Sequence, residues 1–138
     1  MATVCAKQNQ TRSPESIRVM VVDDHARVRQ GLRLFLSTCP GIEVIAEACD
    51  GGEALRRFAE TRPDVVVMDL GTPGMDSPVM TLHMKRLCPA SQIVALASFR
   101  DPDMERRALE AGAACYVAKD SSTATLLEAI RAAHERAR

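Results

Sequence analysis

From Ile17 onward the chain alternates between short apolar runs and longer segments whose apolar residues recur at helical spacing. The short runs are IRVMVVDD (17–24), IEVIAEA (42–48), DVVVMDL (64–70), QIVALAS (92–98) and ACYVAK (114–119). The longer segments run from Ala26 to Ser37, Gly52 to Thr61, Pro78 to Leu87, Asp103 to Ala111, and Ser122 to Ala137. Val65, Val66, Val67 and Met68 would be apolar on both faces of a strand, as expected of a parallel strand covered by helices on each side. The alternation predicts a βα unit repeated five times, a single doubly wound α/β domain with a parallel sheet.

Local punctuation agrees with these boundaries. In EACDGGEALRRF, Asp50 and two glycines make a turn and a helix start, after which Ala54, Leu55, Phe58 and Ala59 form an apolar stripe. In SPVMTLHMKRL, Ser77 is expected to cap the helix, with Pro78 at the first helical position, where its missing N–H costs nothing. Gly112 is placed to end the fourth helix. The final helix carries Leu126, Leu127, Ile130 and Ala133 on one face, a core-packing stripe.

Composition narrows the class without naming a function. At 138 residues the chain has the size of one domain, and Lys plus Arg match Asp plus Glu at 18 each, so no basic excess points to nucleic acid. The five cysteines, Cys5, Cys39, Cys49, Cys88 and Cys115, form no CxxC pair, which argues against a zinc site or a disulfide framework and for idle thiols in a reducing cytosol. The first 16 residues, MATVCAKQNQTRSPES, are polar and read as a disordered leader to a domain over 17–138. No signal-peptide core or membrane span is present in the sequence, and a cytoplasmic location is expected.

The charges at strand ends carry the chemistry. In open parallel sheets the ligand crevice lies beyond the carboxyl ends of the strands. Here the first strand ends in Asp23 and Asp24, the third in Asp69, and the fifth in Lys119, so three carboxylates and an ammonium would converge if strands one, three and five lie near the sheet centre. Clustered carboxylates are costly unless a cation joins them, and oxygen donors with phosphate oxygens suit magnesium. With a lysine to hold an anionic oxygen, the set describes phosphoryl transfer onto an aspartate. Taken singly, each residue has a bland reading: Asp23 or Asp24 as a helix cap, Asp69 as a turn former before Gly71, Lys119 as a solvated charge. His25, His83 and His134 match no ligand spacing and read as surface or capping residues.

RVMVVDDHARVRQGLRLFL, EACDGGEAL, PDVVVMDLGTPGMD and ALEAGAACYVAKD together resemble the receiver domain of two-component response regulators, in its NarL/LuxR-type transcription factor branch. The resemblance runs from about Ile17 to the C-terminus. It implies a CheY-like, flavodoxin-like fold with strand order 2-1-3-4-5. By position, Asp69 matches the phosphoacceptor, and Asp23 and Asp24 match the acidic pair that binds magnesium (or manganese). Gly71 matches the residue whose backbone carbonyl meets the metal, Lys119 the invariant lysine, and Tyr116 the aromatic switch. The implied partner is a sensor histidine kinase, with a possible homodimer through helix 4, strand 5 and helix 5, and DNA contact only through an output domain outside this chain.

Ala97 departs from that pattern, since it falls where the family carries a threonine or serine hydroxyl that reads the phosphoryl group. Ser98 points to the other side of the strand and would substitute only after a slip or a bulge. An alternative reading follows, a receiver used as an interaction module uncoupled from phosphorylation. Thr72 and Ser77 also replace residues usual in the family's loop. A haloacid dehalogenase-like phosphatase uses a strand-end aspartate too, but its general acid two residues later is Gly71 here, so turnover of a separate substrate is not expected.

Overall fold

The computed structural model describes residues 16–98 and 101–137. The expected leader therefore lies outside the described residues, apart from Ser16. Five strands, β1 (Ile17–Val22), β2 (Ile42–Ala48), β3 (Val65–Asp69), β4 (Gln92–Ala97) and β5 (Cys115–Ala118), alternate with five helices. These are α1 (Ala26–Ser37), α2 (Gly51–Thr61), α3 (Ser77–Leu87), α4 (Pro102–Ala111) and α5 (Thr123–Ala137). All strand pairs are parallel and the sheet order is β2-β1-β3-β4-β5, as the resemblance implied.

Alternation along β3 divides the core between the two faces of the sheet. Val66 and Met68 pack with Phe58, Met84 and Ala108 under α2, α3 and α4, while Val65 and Val67 pack with Leu36, Leu126 and Ile130 under α1 and α5. These four apolar side chains of β3 are fully buried, each contributing about 1.5–3 kcal/mol of hydrophobic stabilisation. The helical stripes hold with one adjustment: in α2, Ala54 and Phe58 are buried and Leu55 packs against the core, but Ala59 is exposed.

One expectation is corrected. Asp76, not Ser77, caps α3: its carboxylate accepts from Val79 N at 3.2 Å. Ser77 is buried inside the first turn, and its hydroxyl donates to the Leu70 carbonyl at 3.2 Å, tying the helix start to the end of β3. Asp76 takes the cap because Ser77 already lies within the helix with its hydroxyl committed to Leu70. As the order 2-1-3-4-5 implied, β5 lies at the sheet edge, two strands from β3, so Lys119 must reach across β4.

The remaining helix starts follow from local chemistry. Asp50 accepts from Glu53 N, and the Glu53 carboxylate accepts from Cys49 N, each at 2.8 Å, a reciprocal arrangement that satisfies one free donor of α2 and one of the residue ahead of its cap. Asp101 caps α4 ahead of Pro102, and Gly112 closes that helix at φ 117°, a conformation that disfavours any side chain.

Candidate functional site

At the carboxyl end of the sheet, β1 runs into Asp23 and Asp24, β3 ends on Asp69, and β5 is followed by Lys119. Parallel strands of similar length bring these ends to one edge, and four charges from three remote stretches of the chain become neighbours. Lys119 Nζ lies 2.8 Å from Asp23 Oδ2 and 3.1 Å from Asp69 Oδ2. The longer contact, to Asp69, is a hydrogen bond, whereas the shorter one brings opposite charges together without hydrogen-bond alignment. Asp69 Oδ1 in turn accepts from the Gly71 backbone N–H at 3.0 Å.

Burial sharpens the electrostatics. Asp23 is wholly buried and Asp69 is 2% exposed, while Asp24 keeps partial contact with water. Burial alone would lower the Lys119 pKa, but its close contacts with the Asp23 and Asp69 carboxylates outweigh that and raise it. Three carboxylates facing one ammonium still leave an excess of negative charge. Asp24 Oδ1 is buried with no hydrogen-bond partner among the described residues, whereas the buried Asp23 Oδ2 faces the Lys119 ammonium. Such oxygens fit a hard divalent cation, and Asp23, Asp24 and Asp69 form a cluster that could hold one.

Two residues that the sequence did not single out belong to this site. His25 was expected to be a surface or capping residue. It does occupy the N-cap position of α1, but makes no side-chain cap hydrogen bond. Instead its Nδ1 lies 3.2 Å from Asp23 Oδ1 and 3.3 Å from Asp24 Oδ1. Its backbone N–H donates to Asp23 Oδ1 at 2.8 Å, which gives Asp23 a local role beside its ion pair. Arg29, on the first turns of α1, donates to the Asp23 carbonyl at 2.7 Å and pairs with Glu47 of β2 at 3.2 Å, fastening the end of β1. Adjacency to the acidic pair was the available signal for His25. Arg29 had none, because its partner Glu47 is far away in sequence.

The hydroxyl-bearing residues of the loop after β3 act on the backbone. Thr72 is buried and its hydroxyl donates to the Asp69 carbonyl at 3.0 Å. With Ser77 on Leu70, two side chains clip the loop that carries Gly71 to the end of β3. Ala97 is buried opposite Ala118, β4 pairs with both neighbours without a register shift, and Ser98 is exposed. Neither slip nor bulge brings Ser98 to the Ala97 position. Tyr116 is half-buried and packs against the α2–α4 side of the core.

Fold and site together define a class: a doubly wound domain with an acidic pair, a buried aspartate and a lysine at the carboxyl edge of its sheet. The response regulator receiver domain profile matches residues 19–131, and the chain belongs to that family. It is 46% identical over 117 residues to the transcriptional regulatory protein LiaR of Bacillus subtilis, an alignment covering 85% of this chain and 56% of LiaR. It is 38% identical over 115 residues to the response regulator GacA of Pseudomonas syringae, covering 83% and 54%. The chain thus spans about half the length of the curated relatives it matches.

Solved structures agree. A LuxR-family two-component response regulator from Aurantimonas superposes with a TM-score of 0.83 at 41% identity, covering 88% of this chain and 86% of that one. The signal receiver domain of the response regulator NarL from Mycobacterium tuberculosis gives a TM-score of 0.78 at 31% identity, covering 90% and 98%. The protein is a receiver domain of the LuxR/NarL type, a signalling domain of two-component systems. Among the described residues no helix is long and apolar enough to cross a membrane.

Proposed function

We propose that this receiver accepts a phosphoryl group on Asp69 from the phosphohistidine of a sensor histidine kinase in the cytoplasm, and controls transcription through an output domain outside this chain. The observation that carries the reading is the Lys119 ammonium bonded to Asp69 beside the buried acidic pair. An Asp69 carboxylate oxygen attacks phosphorus, the P–N bond to histidine breaks, and the departing imidazole nitrogen keeps the electron pair and takes a proton. Lys119 exchanges its carboxylate contacts for an oxygen of the incoming phosphoryl group, supplying a positive charge that is already in place.

Asp23, Asp24, the Asp69 carboxylate and the Gly71 carbonyl would hold magnesium or manganese, which when bound offsets the charge on the phosphoryl oxygens. The Gly71 N–H orients Asp69 through Oδ1, and the Thr72 and Ser77 clips hold the loop in register with β3. The acylphosphate adds a dianion at the sheet edge, and the face made by α4, β5 and α5 is where the response is expected, by a shift between two packings. That face carries Arg106, paired with Asp103 and Glu110, and exposed Leu109, and we assign it to a homodimer.

Incubation with magnesium and a small phosphodonor tests the reading. Intact-mass measurement is expected to show one added phosphoryl group on the wild type and none on Asp69→Asn. An unlabelled wild type, under conditions that label a control receiver, would overturn it.

A further inference from the structure

We propose that His25 is a nitrogen ligand of the divalent ion at this site, and that it shifts the site's preference from magnesium towards first-row transition ions such as manganese. The inference rests on the reading of Asp23, Asp24 and Asp69 as the metal-holding carboxylates, and adds a donor of a different chemical kind.

The separations of the donor atoms carry it. His25 Nδ1 is 3.2 Å from Asp23 Oδ1 and 3.3 Å from Asp24 Oδ1. One donor atom from each of Asp23, Asp24, His25 and Asp69 lies within 4.8 Å of all the others. An octahedral ion with bonds of about 2.1 Å needs neighbouring donors about 3 Å apart and opposite donors about 4.2 Å apart. The imidazole nitrogen meets the first requirement towards two carboxylates at once.

A second observation is independent of these distances. Asp24 Oδ1, one of the two oxygens that the imidazole faces, is buried and has no hydrogen-bond partner among the described residues, whereas the buried Asp23 Oδ2 already faces the Lys119 ammonium. Carboxylate oxygens withdrawn from water in this way need a cation. Lys119 approaches Asp23 at Oδ2, whereas His25 approaches at Oδ1, so ammonium and imidazole address different oxygens of one carboxylate.

His25 is also placed to ligate at low cost. Its backbone N–H is anchored on Asp23 Oδ1, its ring makes no cap hydrogen bond, and the side chain is 62% exposed. Binding exchanges the Nδ1 hydrogen bond to Asp23 Oδ1 for a bond to the metal and breaks nothing in α1. Carboxylates, carbonyl and water suit magnesium, whereas an imidazole in place of one water strengthens binding along the first-row series, where magnesium gains little.

Pulsed electron paramagnetic resonance on the manganese-loaded chain tests this, with manganese and magnesium titrations of the wild type, His25→Gln and Asp24→Asn. The wild type is expected to show a nitrogen coupling of directly bound imidazole that His25→Gln lacks. The ratio of manganese to magnesium affinity should fall about tenfold or more in His25→Gln, since even residues behind the ligands are worth 10–100-fold in other metal sites. Asp24→Asn should weaken both ions.

Bound manganese without nitrogen coupling, an unchanged affinity ratio, or a coupling that persists in His25→Gln and so arises at His83 or His134 would each overturn the inference while leaving the acidic site intact. Failure of the wild type to bind either ion would overturn both readings.

Discussion

The Lys119 ammonium donates to Asp69 Oδ2 at 3.1 Å although the two residues are fifty positions apart and β4 lies between their strands. Adjacent strands are about 4.8 Å apart, so the side chain must cross the whole width of β4. It can do so because β4 ends on a small residue, Ala97, whose carbonyl also accepts from the Lys119 N–H at 2.7 Å. Lys119→Met would leave Asp23 and Asp69 buried without their shared counter-ion. A loss of about 3 kcal/mol is expected in urea unfolding without divalent ions, the low end for a broken buried pair because Lys119 keeps some water contact. Added magnesium should recover part of it, and a variant as stable as the wild type would refute the counter-ion role.

Ala97→Thr should restore a hydroxyl without straining the core. Gly71, Ala97, Ser98, Met104 and Tyr116 border a cavity of about 160 Å³, which can take the added atoms and avoid the usual overpacking cost of about 1–3 kcal/mol. Tyr116 is the only tyrosine and the chain has no tryptophan, so intrinsic emission reports that residue alone. A phosphodonor is expected to change the emission strongly in Ala97→Thr and weakly in the wild type. Equal responses would show that the missing hydroxyl does not limit coupling.

Gly112→Ala and Gly71→Ala are expected to differ sharply in thermal unfolding. At Gly112 the backbone is at φ 117° and a Cβ would lie 3.1 Å from Lys85 Cγ, so strain of about 1–3 kcal/mol is expected. Gly71 has no positive φ and its Cβ would meet Asp69 Oδ1 at 3.6 Å, an ordinary contact. Comparable losses at the two positions would contradict this assignment.

Glu53 links helix capping to acid stability. The Cys49 backbone N–H, then its thiol, hold the Glu53 carboxyl below the ordinary glutamate value of 4.5. A depressed folded pKa contributes stability above the unfolded value and loses it as pH falls through the folded one. The difference in unfolding free energy between wild type and Glu53→Gln should therefore shrink as pH drops below about 4.5. The same carboxylate, by its hydrogen bond and charge, raises the Cys49 thiol above its ordinary value of 9.0. Glu53→Gln should then speed alkylation of Cys49 at neutral pH, and an unchanged rate would exclude the coupling.

Much of this architecture can be read from residues alone. The unbroken run from Val65 to Met68 marks a strand buried on both faces, and five such runs separated by amphipathic segments leave a doubly wound sheet as the economical solution. Asp23, Asp24, Asp69 and Lys119 are visible because each stands where a strand ends, and parallel strands deliver their ends to one edge. Ala97 is visible only through the resemblance, by aligning back from Lys119 and Gly112.

Other features depend on distance across the fold. Asp76 took the cap expected of Ser77 because Ser77 could reach the Leu70 carbonyl, a partner set by how α3 packs on β3. Arg29 finds Glu47 only because β2 lies beside β1. His25 becomes a neighbour of two carboxylates through the turn that leads from β1 into α1. The sequence by itself determined the elements, their order and the charges at their ends, since periodicity and turn chemistry are local. Only the tertiary structure decided which oxygens face which cation, because a hydrogen bond or ion pair is settled within tenths of an ångström by the packing of elements distant in the chain.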